Sequence, residues 1–117
     1  MKQSPHPAPN PAYDRDKLVE LFGDDPRTLA EVEREFLETA REAAREIKGT
    51  DDFTAIARAA HRLKGASGMI GALALRQIAE AVERAAKAGD LSTVRRLRDL
   101  FDHEVNRVAE QAGVKVD

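Results

Sequence analysis

The 117-residue sequence contains no cysteine and no tryptophan. Without cysteine there is no disulfide and no thiolate metal site. Aromatic residues make up only 4% of the chain, so a core must be filled by Ala, Leu, Val and Ile, a set that suits helices better than sheets. No apolar run approaches the roughly 18 residues of a membrane span. The N-terminal stretch MKQSPHPAPNPAY lacks the hydrophobic segment of a signal peptide, so the expected location is the cytoplasm. Neither sign of charge dominates: 19 Lys and Arg stand against 21 Asp and Glu, a net charge of −2. That balance argues against general nucleic-acid binding, which needs a strong basic excess.

What is present suits one globular domain. Charged residues make up 34% and hydrophobic residues 42%, enough for a solvated surface over a filled core. Four of the five prolines fall within residues 1–12. Proline lacks a backbone donor and resists helix, so residues 1–12 read as a disordered tail, with His6 inert inside it. The folded domain is expected over residues 13–113.

The rest of the chain is helical in pattern. Residues 14–22 form a short helix with Leu18, Leu21 and Phe22 on one side, stopped by Gly23. Asp25-Pro26 is a start signal, with Asp as N-cap and Pro at the first helical position. Leu29, Val32, Phe36, Leu37, Ala40, Ala44 and Ile47 then recur at helical spacing up to Gly49. Thr50 or Asp51 caps a third helix whose stripe is Phe53, Ile56, Ala60, Leu63, Ser67 and Ile70, with Gly71 as the turn. A fourth carries Leu75, Ile78, Ala79, Val82 and Ala86 to Gly89. Asp90 caps the last, with Leu91, Val94, Leu97, Phe101, Val105 and Val108. There is no strand signal and no internal repeat. Loops of two to five residues force antiparallel neighbours. The expected fold is all-α: an antiparallel up-down-up-down four-helix bundle, with the short N-terminal helix capping one end.

One stretch of the third helix needs explanation: HRLKGASGMIG, residues 61–71. Each mid-helix glycine costs about 1 kcal/mol relative to alanine. At about 100° per residue, His61 lies roughly 130° from the centre of the apolar stripe and so faces solvent. Gly65 and Gly68 fall on its side, and Lys64 lies between that group and the stripe. Small residues in helices often serve close helix packing, and Ala66 and Ser67 read that way. Gly65 and Gly68 point away from the stripe, where packing explains them poorly. They clear the surface round an exposed imidazole, so that another protein can approach its ring nitrogen.

His61, Lys64, Gly65, Ala66, Ser67 and Gly71 match the pattern H-x-x-K-G-[SA]-[SA]-x-x-x-G. The stretch resembles the signature of the histidine-containing phosphotransfer (HPt) domain family, and the likeness extends over residues 14–112 in helix count, order and length. The resemblance implies a phosphorelay intermediate. His61 would accept a phosphoryl group from a receiver-domain aspartate, or from a kinase, and pass it to another receiver domain. The implied partners are response-regulator receiver domains and a sensor or hybrid histidine kinase. The implied Mg²⁺ sits in the partner receiver domain, with no cofactor held by this chain. A chain of this length leaves no room for a kinase domain, so it is expected to act in trans, as a phosphocarrier rather than an enzyme. A monomer is the simpler expectation. The rival reading is a helical adaptor that binds receiver or kinase domains without being phosphorylated. A metal enzyme or hydrolase is a poor fit to three scattered histidines and no cysteine.

The chemistry suits the residues. A neutral imidazole nitrogen is a competent nucleophile near pH 7. Phosphoryl transfer asks for in-line positioning and charge neutralisation, of which Lys64 can supply part. A carboxylate on Nδ1–H would leave Nε2 free to attack. If the chain reverses near residue 72, His61 lies opposite Glu83, and Lys64 opposite Glu80. Either glutamate also reads as a solvated surface charge. His103 lies off the stripe of the last helix, and Arg95, Arg96 and Arg98 read as a solvated face with helix ion pairs.

Overall fold

The computed structural model describes residues 11–113. It contains α1 (Arg15–Phe22), α2 (Pro26–Lys48), α3 (Phe53–Met69), α4 (Leu73–Lys87) and α5 (Leu91–Ala112), and no strand among the described residues. Aspartates start four of the five helices. Asp14, Asp25, Asp52 and Asp90 each accept a hydrogen bond from a backbone N–H of the first turn. The cap of α3 corrects the sequence reading, which gave Thr50 or Asp51. Asp52 takes the Thr54 N–H, and Thr50 Oγ1 instead accepts from the Asp52 N–H.

Two glycine turns set the register of α3, α4 and α5. Gly71 and Gly89 have φ of 71° and 72°, the left-handed region in which a side chain is strained. After α3, Gly71 N–H donates to Gly68 O and Ala72 N–H to Ser67 O. After α4, Gly89 N–H donates to Ala86 O and Asp90 N–H to Ala85 O. Both are Schellman motifs, which satisfy the last carbonyls of a helix, and the next helix starts within three residues.

α2 packs on α3 and α5, and α4 packs on the same two, so the four long helices close a ring round one core. Leu37 and Ile47 of α2, Ile56 and Leu63 of α3, Leu75 and Val82 of α4, and Val94 and Phe101 of α5 are buried there. Each such side chain contributes about 1.5–3 kcal/mol by leaving water. Buried alanines at 40, 43, 59, 60, 79 and 86 let the helices approach closely.

The N-terminal segment is tied down earlier than its prolines suggest. Residues 1–10 of the expected tail, His6 included, lie outside the described residues. Ala12, also given to the tail, is buried, and its N–H donates to Gln111 Oε1 at 2.7 Å. Gln111 Nε2 donates to Tyr13 O at 3.0 Å, and the buried Tyr13 hydroxyl donates to Glu33. Burial first, then this bond to a carboxylate, pushes the Tyr13 phenol well above its ordinary range. Asp14 N–H donates to Ile70 O at the α3–α4 turn. α1 then lies against α2 and buries only Leu18 fully. Leu21 and Phe22, placed by the sequence on the same side as Leu18, are exposed, because an eight-residue helix touches the bundle along one narrow line.

Candidate functional site

His61 lies in the middle of α3 with its side chain 68% exposed. Gly65 and Gly68, four and seven residues on, fall within roughly 40° of it round the helix. Neither has a positive φ, so the backbone does not demand glycine at either place. The two differ in surroundings. A Cβ added at Gly65 would meet nothing within 4 Å, so that surface is open. A Cβ added at Gly68 would lie 3.3 Å from Arg76 Cδ and 3.4 Å from Arg76 Nε. The space at Gly68 is therefore crossed by an arginine stem from α4 rather than left clear.

Glu83 of α4 reaches the imidazole. Its Oε2 lies 3.0 Å from His61 Nδ1, and its Oε1 lies 3.0 Å from Lys64 Nζ. Lys87, one turn further along α4, places Nζ 3.2 Å from the same Oε2. The Glu83 side chain is only 7% exposed, whereas Lys64 is 26% and Lys87 67% exposed. The carboxylate is thus the buried centre of the cluster, and its partners shield it from water.

This arrangement fixes charge and proton. Burial pushes the Glu83 carboxyl up, but hydrogen bonds from Lys64, Lys87 and His61 together outweigh it and hold the group at about 2. Glu83 is then a carboxylate throughout the neutral range and can only accept. The proton of a neutral His61 therefore sits on Nδ1 and is donated to Glu83. Nε2 is left with its lone pair on the exposed side of the ring. One carboxylate against two ammonium groups gives the cluster an excess positive charge beside an exposed imidazole.

Lys64, expected opposite Glu80, pairs with Glu83. Its long stem spans the turn and reaches the carboxylate that is already buried. His103 is exposed on α5, off its buried stripe as the sequence suggested. The three arginines do not form one solvated face. Arg95 pairs with Asp51 at 3.7 Å and Arg96 donates to Thr93 Oγ1 at 3.2 Å, while half-buried Arg98 turns in to donate to Ile47 O at 3.0 Å. Lys87 was missed by sequence reasoning. Its signal was the i, i+4 spacing from Glu83, the ordinary helix ion-pair distance.

Among the described residues, no three His, Asp or Glu side chains are gathered so as to hold a metal ion, and no helix is long and apolar enough to cross a membrane. In comparison with known proteins, residues 23–111 match the family model of the Hpt domain. The match spans α2 to α5 and leaves α1 outside it. No curated protein and no solved structure matches the chain.

Proposed function

The chain belongs to the Hpt domain family, and on that footing we propose that it is a phosphorelay intermediate that carries a phosphoryl group on His61 Nε2. The observation that carries this reading is the buried Glu83 carboxylate on Nδ1, which turns an exposed imidazole into a nucleophile with its free lone pair outward. The same reading takes the four long helices as antiparallel, up-down-up-down. The three-residue turns favour that order, as does the meeting of His61 with Glu83, each eleven positions from residue 72.

The step follows from the geometry. Nε2 attacks the phosphorus of an aspartyl phosphate on a receiver domain. The N–P bond forms as the P–O bond to the aspartate breaks, and the aspartate leaves as a carboxylate. The ring keeps its proton on Nδ1 and becomes cationic, and Glu83 at 3.0 Å stabilises that charge. Lys64 spends one of its three N–H donors on Glu83 Oε1, leaving two for a phosphoryl oxygen. The return transfer to a second receiver is the same path reversed. Mg²⁺ belongs to the receiver's acidic pocket, and this chain supplies no cofactor. A sensor or hybrid histidine kinase feeds the relay. The chain acts in trans as a cytoplasmic monomer, without nucleic acid or membrane, and as a carrier rather than a kinase.

Incubation with receiver domains carrying a labelled phosphoryl group tests the reading. Acid-labile label on this chain is the expected result. A chain that binds receivers and stays unlabelled is an adaptor.

A further inference from the structure

Gly68 sits two turns beyond His61 on the same face of α3, and Arg76 of α4 lies across it. Arg76 is exposed, and no carboxylate among the described residues pairs with it. Glu80, one turn along α4, does not close an ion pair with it, although the spacing allows one. By contrast, Lys64 and Lys87 are both engaged by Glu83. Two large apolar side chains close by in the sequence, one position after Gly68 and three before Arg76, are left in water: Met69 is 53% and Leu73 63% exposed. An unpaired guanidinium, its stem laid against a glycine, thus stands with two exposed apolar groups at the end of the row that begins with His61.

We infer that Gly68 and Arg76 act as one docking element, in which the missing side chain at 68 lets the Arg76 stem cross α3 and present its guanidinium to a carboxylate on the rim of the receiver's phosphorylation site, with Met69 and Leu73 as the apolar part of the same footprint. This rests on the phosphorelay reading and deepens it. An aspartyl-phosphate site is acidic, so an unpaired cation about 10 Å along the helix from the nucleophile complements its edge. It also gives Gly68 a purpose different from that of Gly65. Gly65 leaves room for the incoming protein, whereas Gly68 leaves room for this chain's own arginine.

Arg76 is a docking residue, so its effect belongs in encounter and not in the chemical step. The test is the rate of transfer to His61, measured against concentration of the receiver domain that transfers fastest to this chain, phosphorylated with acetyl phosphate. Arg76→Ala should raise KM about fivefold, the scale of one exposed ion pair, and leave the maximal rate within about twofold. Arg76→Glu should raise KM further, Arg76→Lys should restore most of it, and the difference should shrink at high salt. Gly68→Gln, which displaces the stem, should match Arg76→Ala and add nothing when the two are combined. Circular dichroism melts keep folding separate from docking. A KM for Arg76→Glu equal to that of the unaltered chain overturns the inference, as does a Gly68→Gln effect that persists undiminished with Arg76→Ala. An unaltered chain that takes no label from any receiver overturns the phosphorelay reading instead, and this inference with it.

Discussion

His61 Nδ1 and Glu83 Oε2 meet at 3.0 Å across the α3–α4 hairpin, an exposed ring on a buried carboxylate. The tautomer of His61 is therefore set by a residue on another helix. In nitrogen NMR at pH above the histidine transition, the Nδ1–H form should predominate. Glu83→Gln, whose amide oxygen can still accept, should keep part of that population and a moderate transfer rate. Glu83→Ala should lose the preference and slow transfer by at least about tenfold, since the proton then occupies the attacking nitrogen in much of the population. Equal tautomer populations in all three proteins would leave Glu83 a structural charge only.

The same carboxylate ties stability to pH. Its folded value of about 2 lies below its ordinary 4.5. The stabilisation is fully present above about pH 4.5 and is lost as pH falls through the interval towards 2. At about 1.4 kcal/mol per unit, this is on the order of 3 kcal/mol. Urea unfolding at pH 6 and at pH 3 should show Glu83→Gln losing less stability across that interval than the unaltered chain. Parallel losses in the two proteins would mean that other carboxylates account for the acid sensitivity.

Gly65 separates access from packing. Its Cβ position is empty and its φ ordinary, so Gly65→Ala should stabilise the helix by about 1 kcal/mol. Gly65→Gln should be folded and stable yet slow transfer from a receiver, because the side chain stands beside the ring. Thermal melts and transfer rates on the same samples check this. A variant of lowered stability with normal transfer would show that the fold required the glycine.

The contrast between what could and could not be read from the sequence has a physical basis. Helices announce themselves through caps and spacing, and Asp25-Pro26, Gly71, Gly89 and Asp90 all stand where the pattern put them. The cap of α3 was beyond it: the pattern gave Thr50 or Asp51, and only backbone geometry selects the neighbouring Asp52. Counting from the turn found Glu83 opposite His61, because a three-residue reversal keeps paired helices in register. It did not show that the flexible stem of Lys64 would reach Glu83 as well. The anchoring of Ala12 and Tyr13 by Gln111 and Glu33 joins distant parts of the chain, and local pattern carries no trace of such pairings. Arg76 lies as far beyond residue 72 as Gly68 lies before it, so the same counting places its stem against Gly68, but nothing in the local pattern shows which way a long exposed side chain lies.

His61 alone is expected to carry the phosphoryl group. A receiver domain bearing labelled phosphate, mixed with the unaltered chain and with folded His61→Gln, tests it most directly. Acid-labile, base-stable label is expected on the unaltered chain, located by mass spectrometry to His61, and none on His61→Gln. Label that persists on His61→Gln, at His6 or His103 or elsewhere, would contradict it.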